Sequence, residues 1–238
     1  MEGFGNGEAR EPIRALWARK LALAQDALKR GGPLRLILSV FRLYVLDYRS
    51  FYLYRRRHRA WPEDSFRPRL DGFEEYFVTS NEQAETLARN HADFRSRTCS
   101  ANLALARGAV AFCIYVGRDV AHVAWFATTP AGRRALDHLG FEVRFDEGEA
   151  WTGAAWTAPH YRGRGLLTYG NFRRFEHLRH MGVMVSRGAV ETSNVASVRA
   201  NEPFNPGVYA IGRQWRVFGR RFWSERTVAI GDRERNAV

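Results

Sequence analysis

Lysine is nearly absent from the chain: only Lys20 and Lys29 occur, so 35 of the 37 basic residues are arginine. The planar guanidinium fork suits bidentate phosphate contacts and stacking on aromatic rings, although a coding bias toward arginine codons produces the same skew. Cysteine is scarce too. Cys99 and Cys113 form no C-x-x-C pair, which excludes a disulfide framework and a thiolate zinc site and makes a reducing, cytoplasmic compartment the expectation. No long apolar run is present. The most hydrophobic stretch, residues 34–47, is interrupted by Arg35, Arg42 and Asp47 and falls short of the roughly 20 apolar residues of a spanning helix. The first ten residues are rich in Gly and Glu and lead into no uncharged apolar segment with a small-residue cleavage site, so a secretory signal is not expected.

What is present describes a folded chain. Of 238 residues, 45% are hydrophobic and 26% charged, close to globular averages, so collagen-like, coiled-coil and low-complexity classes fall away. The length accommodates one medium domain plus an extension. The formal net charge of +12 predicts attraction to anions: a phosphorylated cofactor, nucleic acid or an acidic membrane face. The charge is front-loaded, because residues 1–69 hold 15 Lys/Arg against 7 Asp/Glu, a net +8.

Residues 1–69 therefore read as a basic helical extension and linker. One helix is predicted over 12–30, stopped by Gly31-Gly32-Pro33, and a second over 33–57, ending in Arg55-Arg56-Arg57-His58-Arg59. That second helix is rich in Tyr and Phe. Its apolar face either packs on the following domain, the preferred reading, or lies peripherally on an anionic membrane such as the inner membrane face. Trp61 to Pro68 reads as a linker.

From residue 70 to 231 strands and helices alternate. A strand is predicted at 73–78, and a helix from the Ser80-Asn81-Glu82-Gln83 capping box to about His91. Apolar runs at 109–116 and 120–128 form a hairpin about Gly117-Arg118-Asp119. A short helix at 133–139 precedes strands at 141–145 and 149–157. A loop and a helix reaching His180 follow, then a strand at 183–191, a short helix at 194–202 and a closing hairpin of 208–217 with 221–230. Residues 232–238 are expected to fray.

The chemically informative stretch is Thr157-Ala-Pro-His-Tyr-Arg-Gly-Arg-Gly-Leu-Leu-Thr168. It places two glycines and no acid between a strand and a helix, which lets backbone N–H groups converge at a helix N-terminus as an anion cradle suited to a pyrophosphate. It matches neither a P-loop nor a Rossmann fingerprint.

This stretch resembles the GNAT superfamily of acyl-CoA-dependent N-acyltransferases, whose strand-to-helix signature V-x-P-x-Y-R-G-x-G-[IL]-G/A stands here as Thr157 to Leu167. A second family signature, N-x-x-[AS], stands as Asn194-Val-Ala-Ser197. The resemblance covers roughly 145–215 and extends back to about residue 70. It implies a mixed α/β fold with a splayed central mixed sheet flanked by helices, and acetyl-CoA or another acyl-CoA as co-substrate. The backbone N–H groups of Arg162, Gly163, Arg164, Gly165, Leu166 and Leu167, with the Thr168 hydroxyl, would hold the pyrophosphate. The backbone at Thr157 would pair with pantetheine, Asn194 would reach the pantetheine arm, and a backbone N–H would polarise the acyl carbonyl.

Two departures from the family pattern stand out. The last Gly/Ala of the loop is Leu167. The Tyr that many members place seven residues after the Asn, as general acid for the departing thiolate, is Asn201, with Tyr209 a substitute. Acyl transfer to an amine also needs a proton acceptor. Glu149 is the expected base, with Glu147 and His122 as alternatives. The acceptor would be a small molecule or polymer precursor, in keeping with a likeness of layout to bacterial envelope acyltransferases. Metal and nucleic acid are not expected partners. The rival reading is a non-catalytic GNAT-like module that binds CoA or a partner and is tethered by its basic N-terminal helix.

Overall fold

The computed structural model describes residues 46–218 and 220–228. The helix expected at 12–30, the first part of the one expected at 33–57, and the terminal stretch 232–238 lie outside the described residues. Two compact units are distinguished: a main one, Arg49–Arg213 with the residues from Trp223, and a second to which described residues 46–48 and 214–222 belong. In the second unit the Tyr48 and Trp215 rings lie 5.7 Å apart and Arg216 Nη2 contacts Asp47 Oδ2 at 3.2 Å.

The architecture is mixed α/β, as the sequence predicts. Eight strands, β1 (Leu46–Arg57), β2 (Phe73–Val78), β3 (Ala109–Val116), β4 (Asp119–Ala127), β5 (Glu149–Thr157), β6 (Val185–Glu191), β7 (Gly207–Val217) and β8 (Arg220–Thr227), make one sheet in the order β2-β3-β4-β5-β6-β1-β7-β8. Among the described residues five α-helices accompany them: α1 (Asn81–Asn90), α2 (Ala101–Ala106), α3 (Pro130–Leu136), α4 (Leu166–His180) and α5 (Val195–Asn201).

The β3–β4 hairpin is the inner wall of the core, its residues buried on both faces. Strands sandwiched this way read as continuous apolar runs rather than as alternation. On one face Ala111, Cys113, Val123 and Trp125 meet Ala84 of α1, Ala101, Ala104 and Leu105 of α2 and Ala135 of α3. On the other, Phe112, Ile114 and Ala121 meet Leu166, Tyr169, Phe172 and Phe175 of α4. The predicted cap of α1 is present, Ser80 Oγ accepting from the Gln83 N–H at 3.2 Å.

Three expectations need correction. Residues 46–57 are a strand, not the end of a helix. Phe51 and Leu53 join the core on one face while Tyr54, Arg56 and His58 are buried on the other, so the segment's apolar and aromatic residues serve two faces of a sheet. The segment is therefore built into the sheet between β6 and β7, and its arginines and tyrosines cannot form a membrane-lying helix. Residues 141–144 are not a strand either. Phe141 and Val143 are buried, but the backbone pairs with no neighbour and ends in a single 3-10 turn, Phe145–Glu147. Finally, the helix expected at 133–139 begins earlier, at Pro130, because Thr129 Oγ1 caps it by accepting from the Gly132 N–H at 3.2 Å.

β5 and β6 are parallel and pair only over Glu149–Trp151 with Val185–Arg187. Beyond Trp151 and Arg187 they part, while β6 continues to pair antiparallel with Phe51–Arg57 of β1. The β4–β5 register slips between Val123 and Trp125, where Ala154 takes φ 45°. The sheet is thus splayed at its middle, beside a bulge.

Candidate active site

The loop after β5 is shaped by its glycines. A single turn, Pro159–Tyr161, leads to Arg162, and Gly163 and Gly165 follow at φ 76° and 85° in the left-handed region that a side chain disfavours. Helix α4 then starts at Leu166, whose side chain is buried and fixes the direction of the axis. Tyr169 is the first residue whose N–H enters the helical ladder, on Gly165 O at 2.9 Å. Among the described residues nothing accepts the N–H groups of Gly163, Arg164, Gly165, Leu166, Leu167 or Thr168. Helix N-termini leave such donors free, and the macrodipole adds a partial positive charge there.

No carboxylate lies in this loop. Arg162 Nε instead donates to Thr157 O at 3.2 Å, and the Arg164 guanidinium lies 5.8 Å from the centre of the Tyr161 ring. The Arg69 N–H, donating to Arg164 O at 2.9 Å, ties the loop to the linker. A Cβ on Gly165 would lie 3.6 Å from Pro68 Cα, and one on Gly163 would meet nothing within 4 Å. The structure therefore gathers Thr157 and residues 162–168 in one place.

Asn194 is used locally: its Oδ1 accepts from the Ser197 N–H at 3.1 Å and caps α5.

Glu149 and Tyr209 converge elsewhere, around Arg187. The Glu149 side chain is 3% exposed and its carboxylate is held by Arg187 Nε at 2.5 Å, Arg55 Nε at 3.1 Å and the Arg144 N–H at 3.2 Å. Burial pushes the Glu149 carboxyl up, but Arg187, the Arg144 N–H and Arg55 outweigh it and hold the group below its ordinary value. The Arg187 guanidinium lies 5.1 Å from the centre of the Tyr209 ring. Burial raises the Tyr209 phenol against the opposing pull of Arg187. Arg55, Arg57, Gly207 and Tyr209 line an open cleft of about 340 Å³.

The two alternative bases are placed differently. Glu147 is an exposed partner of Arg144 at 3.2 Å. His122 is fully buried, with Nδ1 2.8 Å from Thr157 Oγ1 and Nε2 facing α4, where a Cβ on Gly170 would lie 2.6 Å away. Burial and the nearby Arg174 lower its pKa to about 3, so the ring is neutral.

No protein-family model matches the chain, and no curated protein does. Several solved structures are similar. A GCN5-related N-acetyltransferase-like protein from Streptococcus suis shares 13% identity over 76% of this chain and 67% of its own, with a TM-score of 0.46. A tandem GNAT protein from the clavulanic acid biosynthesis pathway shares 17% over 94% and 73%, TM-score 0.44. A protein from Novosphingobium aromaticivorans assigned to the GNAT family shares 16% over 70% of this chain, TM-score 0.42, and the chain covers 62% of that protein's length.

The fold is mixed α/β with a sheet splayed at its middle and flanked by helices. The parted parallel strands β5 and β6 and the glycine loop opening α4 are the features the resemblance implies, and the bulge at Ala154 lies on the strand that leads into the loop.

Three residues of the candidate site were not singled out by sequence reasoning. Arg187 and Arg55 hold Glu149, and Arg56 donates through Nε to Asn201 Oδ1 at 3.0 Å, placing a guanidinium beside the last residue of α5. The basic run Arg55-Arg56-Arg57 beside Tyr54 is the signal that could have found Arg55 and Arg56, while nothing local marks Arg187. Among the described residues no cluster of His, Cys, Asp or Glu could hold a metal ion, and no helix is long and apolar enough to cross a membrane.

Proposed function

We propose that the protein is an acyl-CoA-dependent acyltransferase that moves an acetyl or other acyl group to an amine or hydroxyl acceptor. The observation carrying this reading is the row of unaccepted N–H groups from Gly163 to Thr168, in a loop without acids beside the opening between β5 and β6. Such a row fits a diphosphate: it provides several donors and a helix-terminal positive charge, and its two left-handed glycines leave the backbone bare.

When bound, acyl-CoA supplies a thioester carbonyl activated for attack. The protein's part is to hold and orient. Residues 162–168 bind the phosphates and the Thr157 backbone offers a strand edge to the pantetheine. The N–H groups at the Ala154 bulge are free of the regular ladder and can polarise a carbonyl. The cleft bounded by Arg55, Arg57 and Tyr209 receives the acceptor.

Glu149 serves this site as an anchor. A general base works best with a pKa near the working pH, whereas this carboxylate is held low by two guanidinium groups and a main-chain N–H. Its role is to fix Arg187 and Arg55 at the cleft. The acceptor's proton then leaves to water.

The test is incubation with acetyl-CoA and a broad panel of amines and alcohols while free thiol is followed, alongside thermal unfolding with and without acetyl-CoA. A raised unfolding temperature with acceptor-dependent thiol release supports the reading. A raised temperature without release from any acceptor favours a CoA-binding module without turnover, for which the replacement of the family tyrosine by Asn201 is the supporting observation. No shift at millimolar acetyl-CoA overturns both.

A further inference from the structure

Three arginines lie buried in the described sheet and helices, and one of them is paired with a carboxylate. Arg187 pairs with Glu149. Arg174 on α4 donates to Gly170 O, Trp125 O and Asn171 Oδ1, which makes it a strut between the helix and β4. Arg56, 4% exposed, likewise meets no carboxylate, but it makes two hydrogen bonds where Arg174 makes three. Its Nε donates to Asn201 Oδ1 at 3.0 Å and its Nη1 to Thr152 Oγ1 at 3.5 Å, both neutral acceptors. Its guanidinium lies 4.8 Å from the Tyr54 ring centre and 5.7 Å from that of Phe175.

Among the described residues no carboxylate pairs with Arg56. The charged and titratable groups around it are Tyr54 and His58 on its own strand, Arg174 on α4, and Glu202, which follows Asn201 and acts on Tyr54. His58 is held neutral and Arg174 is itself cationic. A buried charge without a counter-ion is costly and calls for an anion that arrives from outside.

Its place in the sheet says where that anion would come. The last paired residues of β5 and β6 are Trp151 and Arg187; Thr152 and Gly188 follow, still so close that a Cβ on Gly188 would overlap Thr152 O. Arg56 Nη1 reaches Thr152 Oγ1 and lies 3.0 Å from where a Cβ on Gly188 would stand. The guanidinium therefore sits where the pairing of β5 with β6 ends, next to Asn201.

We propose that Arg56, positioned by Asn201, is the cationic group that stabilises the thiolate of CoA as it leaves. This rests on the acyltransferase reading. In the transfer, the acceptor's nitrogen or oxygen forms the new bond to the acyl carbon and the carbon–sulfur bond breaks with its electron pair on sulfur. The acceptor's proton passes to water and the thiolate is protonated later from solvent. Arg56 transfers no proton: it compensates the charge, the task for which many relatives of this fold use a tyrosine hydroxyl.

The test is titration of the thiol of bound CoA, followed by ultraviolet difference absorbance against the same protein with desulfo-CoA. On the wild-type protein the thiol should ionise about one to three pH units below that of free CoA, the effect of an opposite charge within contact distance. Arg56→Met should abolish the displacement and Arg56→Lys should keep most of it. Both should retain wild-type affinity for desulfo-CoA, because the phosphate loop is elsewhere.

An unchanged thiol titration in Arg56→Met overturns the proposal, as does loss of desulfo-CoA affinity in that variant, which would mark Arg56 as a structural part of the opening. Failure of the wild-type protein to bind CoA at all overturns the acyltransferase reading and this one with it.

Discussion

Glu149 and Arg187 form a buried ion pair across the short parallel junction of β5 and β6, Oε2 to Nε at 2.5 Å. The pair lies where the two strands are still joined, one step before they part, and its second guanidinium, Arg55, brings in β1. Three strands from distant parts of the chain are thus locked by one carboxylate.

Glu149→Gln should therefore act first on stability. Removing one charge of a buried pair leaves the other uncompensated, and a loss of about 3 kcal/mol in urea unfolding at pH 7 is expected, near the low end of such losses because Gln keeps hydrogen-bonding capacity. The carboxyl's pKa is lowered in the folded state, so its contribution is present above the ordinary value of 4.5 and fades as pH falls through the folded value. The difference between wild type and variant should shrink below about pH 4.5. Acetyl-CoA affinity should be unchanged. A variant as stable as wild type at pH 7 with strongly reduced turnover would instead restore Glu149 as the base.

Acid should also act through His58. Its Nδ1 lies 2.8 Å from Val183 O and its Nε2 2.9 Å from Ser186 Oγ, and burial lowers its pKa to about 4. A depressed histidine stabilises above the unfolded value of about 6.5, and that contribution is lost as pH falls toward the folded one. Urea midpoints should decline between pH 6.5 and 4, by roughly 3 kcal/mol from this residue. His58→Gln should flatten the decline. An identical slope in wild type and variant would refute the assignment.

The glycine loop separates ligand binding from folding. Gly165→Val forces a side chain into φ 85° and against Pro68, and should cancel the rise in unfolding temperature given by acetyl-CoA while circular dichroism stays native. For scale, a ligand at a hundredfold excess over Kd adds about 2.7 kcal/mol. Gly163→Ala meets open space and should cost only the backbone strain, about 1–2 kcal/mol.

Gly188→Ala tests the place where the pairing of β5 with β6 ends. A Cβ there would overlap the Thr152 carbonyl oxygen and crowd Arg56 Nη1 at 3.0 Å. Overpacking of this kind costs roughly 1–3 kcal/mol, and the thermal midpoint should fall, whereas Ala189→Gly at the next residue, on the opposite face of the strand, should not reproduce the crowding. Equal stability of Gly188→Ala and wild type would mean that the strands can separate there freely.

Much of the chain from residue 70 onward is legible in its sequence because local rules and tertiary context agree there. Gly117-Arg118-Asp119 marks a hairpin, Ser80 a helix start, and Gly163 and Gly165 a strand-to-helix turn. Residues 46–57 defeat such reading: both faces of the strand are buried at Phe51, Leu53 and Tyr54, so no polar alternation shows, and the partners of the strand lie more than a hundred residues away. Residues 141–144 carry the apolar pattern of a strand but find no sheet edge. The loop was readable as a motif, while the Arg55, Arg56 and Arg187 contacts were not. Whether an arginine in this arginine-rich chain faces water, a carboxylate or a buried amide depends on which strands become neighbours.

The central position of β1 also sets an order of events during synthesis. Residues 51–57 emerge from the ribosome long before 185–191, against which they pair, and before 207–217 on their other side. Until then a run of tyrosine, leucine and arginine has no sheet to join, and the half of the domain from β2 to β5 can assemble from contacts close in sequence. The early strand acts as a late keystone: the Glu149 clamp and the Arg56 contact with Asn201 both close only when it slots in. Activity and final locking of the sheet should therefore appear together in refolding, after the hairpin of β3 and β4 is already protected from hydrogen exchange.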